Sequence, residues 1–441
     1  MLRGRRFRTG LLAVVGTLAT LTSLGCASAS REVSLTAEQK RLNVESFDHA
    51  WTKIRDDYWD PELGGLDWQA VRDELRPKIE RAATMAEARR VMYDMVERLG
   101  VSHFMFIPAE LSRDTDGPDD ADYEEGVTGI DLRVVDGHAL VTSVADGSPA
   151  AAAGVRAGWE IVRVGDIDIV SRLRAREQTL QNSTKKELAL TYSVMPLLFG
   201  RPGDSVTVEF LDGDDRTVEV DIALSQPRGR KASLGFIHNV YVWIEVKTLD
   251  DDIGYIAFNA FFDPPVVMTK FNDAMRSFLD AKGLIIDLRG NAGGLGAMAM
   301  GMMGWLIGEH DQHIGTLQMR AQEFKLIVKP RPKTYAGPLV VLVDGLSGSG
   351  SEFFSGGLQE MGRACIVGSR TKGEALPGQI EKLPNGDVFL YATANYISVH
   401  GNVLEGVGVT PDLEVWPTRE ALLGGHDLAL EAAVRWIHSQ E

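Results

Sequence analysis

The sequence predicts a multidomain α/β protein with a helical N-terminal unit, a middle unit of short strands, and a long, mostly parallel α/β core. The chain has 441 residues, too many for one ordinary hydrophobic core. Near its start the apolar residues recur at helical spacing, whereas in the middle they come as short runs broken by Gly and Pro. From about residue 233 onward, continuous apolar runs such as 284–288 and 339–343 alternate with helical stretches, the pattern of a buried sheet covered by helices.

In chain order, Arg3, Arg5, Arg6 and Arg8 precede an apolar run from Leu11 to Leu24 and then small residues, the three-part layout of a secretory signal. That run is short for a membrane span. Gly25-Cys26 resembles a bacterial lipoprotein processing site, at which the cysteine is acylated, while Ala27-Ser28-Ala29 offers the ordinary signal peptidase a second cut. Either route predicts export to the cell envelope or periplasm, with membrane contact only through a lipid on Cys26. Loss of the four leader arginines makes the formal charge of −16 more negative still, which argues against a nucleic-acid partner. The other cysteine, Cys365, lies in a strand-like run, so neither a structural disulfide nor a cysteine metal site is expected.

Thr36 and Gln39 have capping-box spacing, and Phe47, Trp51, Ile54 and Tyr58 follow at three and four. A helix over 85–99 stops at Gly100 and delivers the chain into Val101-Ser102-His103-Phe104. Residues 114–125 are acidic and read as a solvated linker. Strands are expected over 126–135, 139–144 and 161–164, with a short helix from Ser148 that Gly154 ends. A helical or irregular insertion spans 171–199, and a hairpin joins 205–210 to 217–222 across Asp212-Gly213. Three strand–helix pairs then follow: 255–261 with 265–279, 284–288 with 295–307, and 339–343 with 351–359. The expected divisions are a signal at 1–25, a helical domain at 26–112, a β domain at 113–228, the core at 229–418 and a C-terminal helix at 419–441.

Two glycine-rich loops stand at strand ends: Asp287-Leu288-Arg289-Gly290-Asn291-Ala292-Gly293-Gly294, and the run from Asp344 through Ser347-Gly348-Ser349-Gly350-Ser351 to Glu352. Such loops hold a phosphate or the oxyanion of acyl transfer. The first lacks G-x-G-x-x-G and the second lacks the P-loop lysine, but the second offers a hydroxyl at a helix start. On spacing alone, a serine nucleophile and a tight turn both stay open. Taken singly, a His beside Phe104 is more often a hydrogen-bonded core residue than a base, and Glu405 is equally a surface acid near a turn. Glu309, His310 and His313 read as a solvated helix end rather than a metal site, and no metal or organic cofactor is implied.

Residues 284–294, the SGSGSE run, 362–368 and 405–412 resemble successive core motifs of the C-terminal processing (tail-specific) serine peptidase family. Residues 148–158, Ser148-Pro149-Ala150 through Gly158, resemble the hallmark of PDZ domains, with Trp159 where Asp is usual. With the helical start, the resemblance covers most of the mature chain in the family's order. It implies a PDZ-like β domain, an α/β peptidase core of the ClpP/crotonase-like type, and peptide-bond hydrolysis. The nucleophile of S-x-x-E falls on Ser349, which leaves Ser347 and Ser351 as loop and helix-cap residues. The best-known branch places a lysine base where this chain has Glu374, and Lys372 lies two residues out of register.

A second branch, similar to the tricorn core protease and to retinoid-binding-protein-like members, uses Ser, His and Glu. It implies His103 as the base and Glu405 as the acid that fixes the imidazole tautomer. Ser102 then either donates a hydrogen bond beside the site or merely starts a strand. The amides of Gly350 and of Gly293 or Gly294 would form the oxyanion hole. Gly126-Val127-Thr128-Gly129-Ile130 would be the loop that captures the C-terminus of a protein or peptide substrate. Three alternatives remain at this point: an inactive PDZ-bearing scaffold or ligand carrier, a Ser/Lys peptidase using Lys372, and a β domain without a ligand.

Overall fold

A computed structural model of the chain describes residues 34–112, 125–180 and 185–440. The signal over 1–25, Cys26 and the linker over 114–124 therefore lie outside the described residues.

Helix α1 (Ala37–Asp57) opens on the expected capping box: Thr36 Oγ1 accepts from the Gln39 amide at 3.2 Å, and the Gln39 side chain accepts from the Thr36 amide at 2.9 Å. Its apolar stripe, Phe47, Trp51 and Ile54, is buried against α2 (Trp68–Arg81) and α3 (Met85–Glu97). Each such side chain stabilises the unit by about 1.5–3 kcal/mol. Trp51 and Trp68 stack and donate their indole N–H groups to each other's carbonyls at 2.9 and 3.0 Å. This cluster does not close on itself. It continues into Phe106, Phe389 and Tyr391, and Arg89 pairs with the buried Asp387 at 2.8 Å. Beyond α3 the chain turns at Gly100 (φ +64°) and enters β1 (Met105–Ile107), which joins the core sheet system. The helical unit and the core thus hold Ser102 and His103 between them.

The middle unit runs β2 (Gly126–Val127), β3 (Ile130–Val135), β4 (His138–Val144), α4 (Pro149–Ala152), β5 (Glu160–Val164), β6 (Ile167–Asp168), α5 (Ile169–Thr179), α6 (Lys186–Val194), β7 (Phe199–Gly200), β8 (Ser205–Leu211) and β9 (Thr217–Ala223). Its antiparallel sheet has the order β3-β4-β5-β8-β9, so β3 is an edge strand, and α6 packs beside it. The single strand expected over 126–135 is broken at Thr128-Gly129. Gly129 has φ +83°, and a Cβ there would lie 2.2 Å from Ser148 Cβ, a crowding that only glycine permits. The described part of the insertion is helical, as α5 and α6.

The core begins with β10 (Arg230–Leu234), β11 (Ile237–Val242), β12 (Ile244–Leu249), β13 (Ile253–Phe258), α7 (Pro264–Ser277), β14 (Gly283–Asp287) and α8 (Gly296–Met303). It continues with β15 (Gln312–Met319), β16 (Glu323–Val328), β17 (Leu339–Val343), α9 (Gly350–Glu360), β18 (Cys365–Gly368), β19 (Gly378–Lys382), β20 (Val388–Ala392), β21 (Ala394–Ser398), β22 (Leu413–Glu414), α10 (Arg419–Leu423) and α11 (Leu428–His438). Six strands form a sheet of order β12-β13-β14-β17-β18-β22, antiparallel at β12 and parallel at every other pairing. Alternate residues face opposite layers. Ile256, Ile286 and Val341 meet α7, α8 and α9, whereas Tyr255, Ile285 and Val340 meet α11. The helix expected over 295–307 is shorter, because Gly304 packs on the Lys329 carbonyl, 2.6 Å from where its Cβ would stand. Two antiparallel arms, β16-β15-β21 and β1-β20-β19, are additions the sequence did not announce.

Candidate active site

Strands β14 and β17 are neighbours in the sheet, so their carboxyl ends present the two glycine-rich loops side by side. One carboxylate holds both. Asp344 Oδ1 accepts from the amides of Gly290 (2.9 Å), Leu346 (3.0 Å) and Ser347 (3.1 Å). The serines flanking Ser349 cross-link the loops, Ser347 donating to the Leu288 carbonyl at 2.7 Å and Ser351 to the Asn291 carbonyl at 2.8 Å. Ser347 is thus a loop residue as expected, whereas Ser351 is not the helix cap: it lies inside α9 (Gly350–Glu360), and Ser349 holds the cap position. Ser349 itself stands at the start of α9 with φ 52° and ψ −113°, a conformation that costs a non-glycine residue about 1–3 kcal/mol and turns its hydroxyl out of the loop.

The Ser349 hydroxyl meets His103 Nε2 at 3.1 Å. His103, at φ 60°, is also held in the left-handed region, by the turn that follows α3. Its Nδ1 is 2.7 Å from the Ser102 hydroxyl, which donates to Glu405 Oε2 at 2.7 Å. Counting protons fixes the tautomer. Glu405 only accepts, so the single Ser102 proton goes to it, and Nδ1–H must then donate to Ser102 Oγ. Nε2 is left with its lone pair directed at the Ser349 hydroxyl, as a base requires. Glu405 also accepts from the amides of Ser102 (2.7 Å) and Ala375 (2.9 Å). The acid therefore stands one residue further from the imidazole than expected, and Ser102, left between two roles by the sequence, links the two. Ser102, His103 and Ser349 are all buried, and burial pulls the His103 pKa down to about 4, a fall that Glu374 opposes and Lys372 adds to.

The alternatives for the oxyanion site separate. The Gly293 amide donates to Asn291 Oδ1 at 2.9 Å, and the Ser349 amide to the Glu374 carbonyl at 2.8 Å. The amides of Gly294 and Gly350 carry no such partner among the described residues, and they lie close together: a Cβ on Gly350 would stand 3.2 Å from the Gly294 nitrogen. Lys372 packs its side chain beside Gly348, next to Ser349, but among the described residues it makes no hydrogen bond to the Ser349 hydroxyl. Its ammonium pairs with Glu374 Oε2 at 3.0 Å. Burial is the largest single influence and would lower its pKa, but Glu374, Tyr192 and Glu352 together hold it above the ordinary lysine value, so it stays a cation. Glu374 in turn bridges to Lys185, ahead of α6, at 3.1 Å.

The middle unit leans on these loops through its edge. Arg133 of β3 reaches Asp344 Oδ2 with two nitrogens at 2.6 and 2.8 Å, and Glu187 of α6 reaches the Ser369 hydroxyl at 3.1 Å. In the segment expected to capture a C-terminus, the Val127 amide is already spent on the Ser225 carbonyl at 2.8 Å, and the Ile130 amide leans on Thr128 Oγ1 at 3.3 Å. Gly126 belongs to β2, paired with β7. The amides of Thr128 and Gly129 carry no partner among the described residues and sit at the head of β3. Sequence reasoning passed over Arg133, for which the one signal is a lone arginine inside the alternating strand Ile130–Val135.

Residues 252–415 match the sequence model of peptidase family S41, residues 126–224 that of the PDZ domain, and residues 43–97 that of the tricorn protease C1 domain. Carboxyl-terminal-processing peptidase 3, chloroplastic, of Arabidopsis thaliana is 26% identical over 428 residues, 93% of this chain and 77% of that protein. Tricorn protease homolog 1 of Streptomyces coelicolor is 25% identical over 405 residues, 88% of this chain but only 34% of that much longer protein. Among solved structures, the photosystem II D1 C-terminal processing protease superposes with a TM-score of 0.54 at 22% identity, covering 91% of this chain and 97% of that one. Mature CPAF superposes with a TM-score of 0.59 at 15% identity, covering 90% and 97%.

Proposed function

Since the chain belongs to peptidase family S41 and is a serine peptidase, we propose that it cleaves proteins or peptides with Ser349 as nucleophile and His103 as general base. The observation that carries this reading is the 3.1 Å contact between His103 Nε2 and the Ser349 hydroxyl, and the proton count at Nδ1 makes Nε2 the acceptor. In the acylation step Ser349 Oγ bonds to the scissile carbonyl carbon and its proton passes to Nε2. The negative charge that develops on the carbonyl oxygen is met by the amides of Gly294 and Gly350. The imidazolium then protonates the departing amine as the C–N bond breaks, and water, activated by the same nitrogen, releases the acyl group. Ser102 and Glu405 are positioning residues that hold the tautomer. A base of this kind contributes roughly 10²–10⁴-fold and one oxyanion donor roughly 10²–10³-fold.

The run of parallel pairings from β13 to β22 supports a core of the ClpP/crotonase-like type. The edge strand β3, at whose head the amides of Thr128 and Gly129 carry no partner among the described residues, supports selection of unstructured C-terminal tails by strand addition. The leader arginines, the apolar run and Gly25-Cys26 support export and a lipid anchor. An inactive scaffold is the poorer reading because the proton relay is complete. The test is a fluorophosphonate probe together with a quenched peptide ending in a free carboxylate: the wild type should be labelled at Ser349 and cleave the peptide, and Ser349→Ala should do neither. A wild type that stays unlabelled and inert would favour the scaffold.

A further inference from the structure

A second carboxylate stands at the site, behind the nucleophile, and its hydrogen bonds close a circuit. Glu352, in the first turn of α9, is fully buried and accepts four donors. Oε2 takes the amides of Ser349 (2.9 Å) and Glu374 (3.0 Å), and Oε1 takes the amide of Gly373 (2.7 Å) and the hydroxyl of Thr371 (2.6 Å). A helix cap calls for the first of these alone. The other three belong to the segment from Thr371 to Glu374, whose next amide, on Ala375, holds Glu405. That segment is itself fastened to the loop carrying Glu405: the Thr371 amide donates to the Val409 carbonyl at 3.1 Å, Thr371 Oγ1 accepts from the Val409 amide at 2.7 Å, and the Gly406 amide donates to the Gly373 carbonyl at 2.9 Å. Followed round, the bonds run from Ser349 through Glu352 and the 371–375 segment to Glu405, then through Ser102 and His103 back to the Ser349 hydroxyl.

Resting on the Ser349/His103 reading, we propose that Glu352 is the positioning residue that sets the nucleophile against the far end of its own relay. A carboxylate offers about four lone-pair directions, and here every one meets a donor. A glutamine of the same shape has one oxygen and an NH2 group. On the Oε2 side the NH2 faces the amides of Ser349 and Glu374, and on the Oε1 side it faces the Gly373 amide while the Thr371 hydroxyl turns to accept, so one pair or the other would have to shift. Both pairs border the relay. A displacement of the order of 1 Å at a reacting pair costs up to roughly 10²-fold in rate, while substrate contacts elsewhere stay as they were.

The experiment measures the rate of acylation by a fluorophosphonate, resolved into the probe's binding constant and its first-order step. Glu352→Gln should keep the wild-type melting behaviour to within a few degrees and the binding constant within about twofold, and lose roughly 10–100-fold in the first-order step. Should that variant fail to fold, Thr371→Val removes one donor and spares the carboxylate. It should slow the same step several-fold, and Thr371→Ser should restore it. A labelled wild type beside a folded Glu352→Gln, or a Thr371→Val, of equal rate would overturn this proposal alone. A wild type never modified at Ser349 would overturn the peptidase-site reading and this one with it.

Discussion

The Ser102 hydroxyl stands 2.7 Å from His103 Nδ1 and 2.7 Å from Glu405 Oε2, so the acid and the imidazole meet only through it. Removing either end of that link frees the ring to turn. Ser102→Ala and Glu405→Gln should each lower kcat for a quenched peptide by roughly 10–10³-fold, and the double variant should be no slower than the worse single, because the two act as one unit. Losses that multiply would show that Glu405 reaches the base by another route.

Ser349→Ala should abolish turnover and leave the melting temperature within a few degrees, since the loop is held by Asp344, Ser347 and Ser351 rather than by the nucleophile's hydroxyl. His103→Ala should cost nearly as much, and the pair together no more than either. Measurable peptide cleavage by Ser349→Ala would end the assignment.

The pH profile separates base from clamp. Burial holds the His103 pKa down at about 4, well below its ordinary 6.5, so imidazole protonation limits activity only near pH 4. Burial pushes Glu352 up to about 7, with its four donors pulling the other way. The charged groups beside it are Lys372, whose ammonium feels its charge, and Glu374, which Lys372 neutralises. Wild-type acylation should therefore fall as pH drops through about 7, and the slower Glu352→Gln should lack that limb and fall only near pH 4. Stability runs the other way for the carboxyl. Between pH 4.5 and about 7 the folded chain binds more protons at Glu352 than the unfolded one, so this group lowers stability as pH rises. His103 binds fewer when folded between about 4 and 6.5, so it raises stability over that window. Melting temperature should climb more steeply with pH in Glu352→Gln than in the wild type. Parallel curves would remove Glu352 from the account.

Gly293→Ala should be folded but inert. Its Cβ would stand 2.5 Å from the Gly348 carbonyl oxygen, 2.6 Å from the Gly350 nitrogen and 2.7 Å from Ser349 Cβ, at φ +101°, so the nucleophile loop has to retreat. Labelling by fluorophosphonate at more than about a tenth of the wild-type rate would contradict the crowding.

Cys26→Ser addresses location. If Cys26 is acylated, the wild type should sediment with membranes and the variant should not, because acyl chains supply about 0.8 kcal/mol per buried methylene. A wild type found wholly in the soluble envelope fraction, beginning at Ser30, would assign the cut to the ordinary signal peptidase.

Strands buried on both faces, β14 and β17, were legible because their sequence is an unbroken apolar run. The arms β15–β16 and β19–β20 were not. Glu323–Val328 mixes Lys and Glu with exposed Phe324 and Ile327, and the burial of Val388–Ala392 depends on a helical unit hundreds of residues earlier. Within the site, residue types were legible and their connections were not. That Ser102 stands between His103 and Glu405, or that Glu352 gathers Ser349, Thr371, Gly373 and Glu374, follows from distances between segments far apart in the chain. Spacing carries no such information.

The helical unit contributes His103, the core contributes Ser349, and Glu405 arrives on a loop further along the chain than either. During synthesis His103 emerges first, Ser349 next and Glu405 last of the three, so a chain made only as far as Ser349 lacks the acid of the relay. A nascent chain is thereby kept from completing the relay until the loop carrying Glu405 has folded back onto the turn that carries Ser102 and His103.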